Sequence, residues 1–303
     1  MTWVTISLSA GTMFIMAVVL SYILGWASKK FYVEEDPRVV AINDALPGAN
    51  CGGCGYVGCG EYAEAVVLEE EAVTKCTVGG ESCAEAVAQI MGVEVGASLP
   101  WRPIVHCAAH YDDRLKRFTY IGDMTCMAAN LVTNVQGCTY GCLGFGDCSR
   151  ACNFDALHVV DGLATVDYDK CVGCGACAKV CPRNIVSLAP FKAERMLAIT
   201  CSNKDKGKDV TAVCNVGCIG CGICAKKSDL FSMKDNLSTI DYDAYTPECT
   251  LETLEACEKC KRSQIVFVGK PSADDLDKAK DLKAPELIEP DFKTSVDDTE
   301  WRG

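Results

Sequence analysis

Cys171-Val-Gly-Cys174-Gly-Ala-Cys177-Ala-Lys-Val-Cys181-Pro182 decides how this chain is read. Three thiolates spaced two residues apart wrap one corner of an iron–sulfur cubane, while Gly173 and Gly175 let backbone amides approach the sulfur. The fourth thiolate, placed before Pro182, cannot close on the same cluster and ligates a neighbouring one. Zinc also accepts Cys-x-x-Cys pairs. A third cysteine at the same spacing, followed by Cys-Pro, argues against zinc.

The run is that of bacterial ferredoxins, and its partner cysteines lie upstream at Cys138, Cys142, Cys148 and Cys152. The expected ligand sets are Cys138, Cys142, Cys148 and Cys181 for one cluster, and Cys152, Cys171, Cys174 and Cys177 for the other. Cys138 enters as a substitute, because Phe145 stands where a ligand is due.

An internal repeat supports this pairing. Cys138-Thr-Tyr-Gly-Cys142-Leu-Gly-Phe145-Gly-Asp-Cys148 aligns with Cys214-Asn-Val-Gly-Cys218-Ile-Gly-Cys221-Gly-Ile-Cys224. Downstream, Gly162-Leu-Ala-Thr-Val-Asp-Tyr-Asp169 aligns with Asn236-Leu-Ser-Thr-Ile-Asp-Tyr-Asp243. Two copies of one supersecondary unit account for both matches. The second copy is eroded: Cys218, Cys221 and Cys224 keep the three-ligand spacing, but Ser228 holds the crossover position. One cluster is expected there, with Cys260 or Cys257 as its fourth ligand and Cys249 unassigned.

A further group precedes the repeats, Cys51-x2-Cys54-x4-Cys59-x16-Cys76, with Gly52, Gly53, Gly55, Gly58 and Gly60 around its first three thiolates. Gly53 to Gly58 also fits the GxGxxG pattern. A dinucleotide site is rejected, since cysteine interleaves the glycines and no strand precedes them. Cys107, Cys126, Cys201 and Cys214 remain, with Cys83. They form either another cluster or buried apolar cysteines. In total 23 of 303 residues are cysteine, so four [4Fe-4S] clusters are expected and five are the ceiling with all-cysteine ligation. The odd number leaves a thiol over from any complete disulfide framework.

Val4 to Ala27 carries no charged side chain, and 24 residues at helical rise exceed the roughly 30 Å of bilayer hydrocarbon. A cleaved secretory signal would need a basic stretch first; here Lys29 and Lys30 follow instead, with Trp26 at the interface. The positive-inside asymmetry places the remainder in the cytoplasm of a single-pass protein of the cytoplasmic (inner) membrane, where thiols stay reduced. Helices are expected over 37–46, 61–73, 81–92 and 107–118, with short strands and turns from Cys138 to Gly269. The expected class is α+β. Residues 1–30 form the anchor, 31–100 a small helical Fe-S domain, 101–200 a first ferredoxin-like module and 201–270 a second; 271–303 form an acidic tail whose composition predicts disorder. The net charge of −12 argues against a nucleic-acid surface. His106, His110 and His158 are isolated, and no P-loop, nucleophile elbow or HExxH motif is present.

An uncharged N-terminal helix, then Cys51-Gly-Gly-Cys54-Gly-Tyr-Val-Gly-Cys59, then ferredoxin repeats, resembles the B-subunit family of Rnf electron-transport complexes over about residues 1–268. The resemblance implies a membrane-tethered subunit that takes electrons from soluble reduced ferredoxin and hands them to partner subunits. The complex as a whole reduces NAD and exports sodium or protons. It also implies that Cys51, Cys54, Cys59 and Cys76 form the domain nearest the membrane. If an acidic ferredoxin is the donor, a local basic spot is required; Lys192, Arg195, Lys204, Lys206 and Lys208 are the candidates, against a solvated linker. The competing readings are an Fe-S subunit of a hydrogenase or a quinone-linked reductase, and a zinc-bound scaffold.

Overall fold

A computed structural model describes residues 2–31, 36–95, 99–115, 120–133 and 135–270. The acidic tail, 271–303, lies outside the described residues. The first element, α1 (Thr2–Lys30), is apolar on all sides and exposed along its length. At helical rise its 29 residues reach about 43 Å, and hydroxyls in its first half bond to its own carbonyls. Ser7 Oγ donates to the Trp3 carbonyl at 2.9 Å and Ser9 Oγ to the Thr5 carbonyl at 2.8 Å, as a helix crossing lipid requires.

Three helices follow: α2 (Pro37–Ala45), α3 (Cys59–Leu68) and α4 (Gly80–Met91). Asp36 caps α2 by accepting from the Arg38 amide at 2.8 Å, and Pro37 sits where a missing N–H costs nothing. The second of these helices starts earlier and ends sooner than the expected 61–73. The Asn50 side chain accepts from the Cys59 amide at 2.8 Å, fixing the start, and Glu70 at φ 55° turns the chain away. Ile42, Tyr62, Val66 and Val87 are fully buried between the three helices, each contributing roughly 1.5–3 kcal/mol of burial.

The rest of the described chain is two copies of one unit. The first contains β1 (Trp101–Val105), α5 (Cys126–Leu131), α6 (Asp147–Arg150), β2 (Leu157–Val160), β3 (Leu163–Val166), α7 (Ala176–Val180) and β4 (Val186–Pro190). The second contains β5 (Arg195–Ile199), α8 (Gly207–Val213), α9 (Ile223–Lys227), β6 (Phe231–Lys234), β7 (Leu237–Ile240), α10 (Leu251–Glu258) and β8 (Ile265–Gly269). In each copy the outer strands pair antiparallel (Val105 opposite Val186, Ile199 opposite Ile265) and an inner hairpin is inserted between them. Both hairpins turn through two positive-φ residues, Asp161-Gly162 and Asp235-Asn236, the turn whose twist suits a two-residue loop. The class is α+β, as expected.

Two expectations shift. Because β5 pairs with β8, residues 195–199 belong with the second copy, so the boundary falls between Pro190 and Arg195 rather than at 200. Of the helix expected over 107–118, residues 116–118 lie outside the described residues and 107–115 are not helical beyond a 3-10 turn at Tyr111–Asp113; Arg114 instead bridges Cys214, and the Leu115 amide donates to the Val213 carbonyl at 2.9 Å. Backbone bonds to the second copy outweigh a weak helical pattern.

The copies share a core: Ile104 and Ala189 of the first pack with Met196, Leu197, Phe231 and Tyr245 of the second. They also share a fastening. Tyr168 donates to the Pro103 carbonyl at 2.8 Å, and its repeat equivalent Tyr242 donates to the Leu197 carbonyl at 3.2 Å. His106 ties them directly, with Nδ1 2.7 Å from the Ile199 carbonyl and Nε2 2.6 Å from Ser187 Oγ. Burial lowers its pKa first, so it serves as a neutral structural bridge. His110 faces Asp161 at 3.7 Å and His158 faces Asp155 at 3.6 Å.

Candidate iron–sulfur sites

Local backbone geometry explains how each three-cysteine run curls. Gly173 and Gly175 flank Cys174 at φ 73° and 75°, and a Cβ at Gly173 would lie 1.9 Å from the Trp101 carbonyl oxygen, so only glycine fits there. Gly144 and Gly146 around Phe145, and Gly220 and Gly222 around Cys221, repeat the conformation. In each run the second glycine begins a short helix that carries the last cysteine, Cys148, Cys177 or Cys224.

Cys152, Cys171, Cys174 and Cys177 line one apolar cavity of about 340 Å³ with Pro103 and Val166, as expected from spacing. The Ala156 amide donates to Cys152 Sγ at 3.4 Å. Burial pushes the Cys177 thiol up to about 12, so iron must displace a proton to bind there.

The neighbouring set differs from the expected one. Buried Cys148 has Cys142, Cys126, Cys181 and Cys177 around it; burial first and these thiolates next raise its pKa. Cys126, and not the expected Cys138, is among these neighbours. The Asp147 carboxylate accepts from the Cys126 and Met127 amides at 2.9 and 3.0 Å, and Thr125 caps the same helix through the Ala128 amide. The residue beside Cys148 thus anchors the helix that delivers Cys126. Phe145, whose ring meets Tyr120 at 5.5 Å in a small core with Cys126 and Ala129, fills the place its equivalent Cys221 uses for sulfur. Cys138 faces another cavity.

In the second copy Cys218, Cys221, Cys224 and Cys260 line a cavity of about 360 Å³. The Gln264 amide donates to Cys260 Sγ at 3.4 Å, and Ser238 Oγ lies 3.1 Å from Cys224 Sγ. Of the two expected fourth ligands, Cys260 lines this cavity; Cys249, Cys257 and Cys260 all pack against the apolar core, and Tyr245 Oη lies 3.9 Å from Cys249 Sγ. Cys51, Cys54, Cys59 and Cys76 line a cavity of about 330 Å³ between the first glycine-rich loop and the turn before α4. A hydrogen bond from Cys83 and then the Gly79 amide (3.4 Å) pull the Cys76 thiol down.

Cys107, Cys138, Cys201 and Cys214 surround a fourth cavity, at the junction of the copies. Among the described residues no three His, Cys, Asp or Glu side chains converge tightly enough to grasp one metal ion. Four thiols line each of these four cavities, a donor set that fits a [4Fe-4S] cubane. Two arginines escaped the sequence reading. Arg183 donates to the Cys138 and Gly141 carbonyls at 3.0 and 2.7 Å. Buried Arg114 donates to the Cys142 carbonyl and, at 3.0 Å, to the Gly162 carbonyl. Together they hold the Cys138–Cys142 turn and bring positive charge beside it. Their separation from the cysteines in sequence gave no signal. The expected basic spot is partly spent: Lys192 Nζ donates to the Asp243 and Tyr245 carbonyls, and Lys204 pairs with Asp235 at 3.5 Å.

Residues 46–78 match the family of an Fe-S cluster domain, and residues 164–187 match the 4Fe-4S binding domain. Over 87% of this chain and 79% of the relative, the sequence is 40% identical to the B-subunit of the Na(+)-translocating ferredoxin:NAD(+) oxidoreductase complex of Acetobacterium woodii. It is 37% identical to the B-subunit of the ion-translocating oxidoreductase complex of Methanosarcina acetivorans, over 84% of this chain and 93% of that one. The chain belongs to the B-subunit family of ion-translocating oxidoreductase complexes. A third family member, from the proton-translocating ferredoxin:NAD(+) oxidoreductase complex of Clostridium ljungdahlii, is 37% identical over 76% of this chain and 82% of its own length. With these matches and its cysteine sets, this B-subunit carries multiple [4Fe-4S] clusters, and α1 makes it a single-pass membrane protein.

Proposed function

We propose that the chain is a membrane-tethered one-electron relay of an ion-translocating ferredoxin:NAD oxidoreductase complex. It accepts electrons from reduced soluble ferredoxin and passes them to partner subunits, and the complex exports sodium or protons. The ligand sets are Cys51, Cys54, Cys59 and Cys76; Cys152, Cys171, Cys174 and Cys177; Cys126, Cys142, Cys148 and Cys181; and Cys218, Cys221, Cys224 and Cys260. A [4Fe-4S] cluster in such a set supplies one-electron chemistry without moving a proton or an atom. The chain's own part is to hold sulfur, to exclude water, and to aim amides and arginines that favour added negative charge. The soluble part faces the cytoplasm, since Lys29 and Lys30 close α1 on that side.

The observation that carries this reading is that the sites adjoin. A Cβ on Gly53, in the first loop, would lie 3.1 Å from the Cys174 backbone, and Lys179 donates to the Gly52 carbonyl at 3.0 Å. The Cys152–Cys181 crossover then joins the two sites of the first module. Rapid anaerobic mixing of the iron-loaded chain with reduced ferredoxin tests the role. Bleaching of the visible Fe–S absorbance, with electrons appearing stoichiometrically in the chain, is expected. A chain that stays oxidised contradicts the proposed donor.

A further inference from the structure

We propose that Cys107, Cys138, Cys201 and Cys214 hold a further [4Fe-4S] cluster at the junction of the two modules, a one-electron bridge between the Cys142 and Cys218 sites. The inference rests on the reading of the other quartets as cluster sites.

The quartet is built from equivalent positions of the two copies. Cys107 follows the end of β1 by two residues, as Cys201 follows the end of β5. Cys138 precedes Cys142 by four residues, as Cys214 precedes Cys218. The hydrogen bonds repeat as well. The Cys142 amide donates to Cys107 Sγ at 3.5 Å, and the Cys218 amide donates to Cys201 Sγ at 3.3 Å. The Tyr140 and Gly141 amides point at Cys138, and their equivalents Val216 and Gly217 point at Cys214. Asn203, itself 2% exposed, adds a side-chain amide 3.5 Å from Cys138 Sγ. Amides aimed at sulfur from both sides are what a charged cluster uses and what neutral buried thiols do not need.

The alternative is a packed core of reduced cysteines. Cores fill such space, yet here four thiols stand around a cavity comparable in size to those of the ferredoxin-type sets. All four are free thiols rather than disulfides. The bridging role follows from the donors: Cys142 and Cys218 each give their own sulfur to a flanking set and their amide to a central thiol. Each passage reduces the accepting cluster by one electron and oxidises its neighbour by one; nothing else is transferred.

The test uses the full chain in detergent, iron-loaded under strict anaerobiosis, with iron, sulfide and zinc quantified. The expected count is about 20 iron atoms per chain, five cubanes, against about 16 if these four thiols are merely buried. Cys201→Ala and Cys138→Ala should each remove about four iron atoms, with no further loss when combined, while Cys249→Ala, in the apolar core, removes none. About 16 in the parent chain, or variants that keep its full count, overturns the inference. If a variant does not fold, the parent count decides alone. A parent count well below 16 sinks the four-site reading instead, and the paired variants still decide this one.

Discussion

Ser228 Oγ lies 3.1 Å from Thr253 Oγ1, both buried, at the position where the first copy has its crossover thiolate. The pair closes a site that the second copy has given up. Tyr245 and Ala256 fill the space, with Cys249 and Cys257 packed against them. Restoring the thiol alone cannot restore a cluster. Ser228→Cys should leave the iron count unchanged and cost about 1 kcal/mol, the value of one buried hydrogen bond. Iron analysis with thermal unfolding checks it; a gain of about four iron atoms would show that α10 can yield.

Membership of the Cys126 set is testable by non-additivity. Cys126→Ala and Cys142→Ala should each remove about four iron atoms, and the double variant no more than either alone. Cys126→Ala with Cys171→Ala should remove about twice as many, because those residues serve different sites. Equal losses in both double variants would dissolve the grouping.

Lys179 fastens the N-terminal loop to the first module through the Gly52 carbonyl. Lys179→Ala should keep all iron, since Lys179 is no ligand. Hydrogen exchange in 51–55 should rise several-fold, and electron exchange between the Cys51 and Cys171 sites should slow. Unchanged exchange would mean that the loop is held by packing alone.

Charge sets the salt dependence of the encounter with a donor. A chain of net charge −12 meeting an acidic ferredoxin is repelled at long range, and salt screens that repulsion. Raising the salt concentration should therefore speed ferredoxin oxidation. A rate that falls with salt would point to a local basic docking surface stronger than the residues left beside Lys192 and Lys204.

How much of this is legible beforehand follows from where ligands sit relative to their motifs. The Cys171 run, the Cys51 run and Cys218 to Cys224 are local, because glycines at fixed offsets set their backbone, so spacing suffices. Asp36-Pro37 announces its helix for the same reason. Cys126 does not announce itself: it sits 16 residues before Cys142 on a helix fastened by Asp147, and only the ring at Phe145 hints that a ligand must come from elsewhere. Cys138 is misplaced by spacing because its proximity to Cys142 hides the turn, held by Arg114 and Arg183, that sends it to the junction. The module boundary is displaced because the pairing of β5 with β8 spans some 70 residues and leaves no local mark.

The central claim, thiolate quartets holding adjoining cubanes, is tested most directly by low-temperature EPR of the anaerobically purified, fully reduced chain. The predicted result is a broad, spin-coupled spectrum from neighbouring reduced [4Fe-4S] clusters, which simplifies when Cys171→Ala removes one member. Stoichiometric zinc with no cubane signal, or a single isolated cluster spectrum from a folded chain, would contradict it.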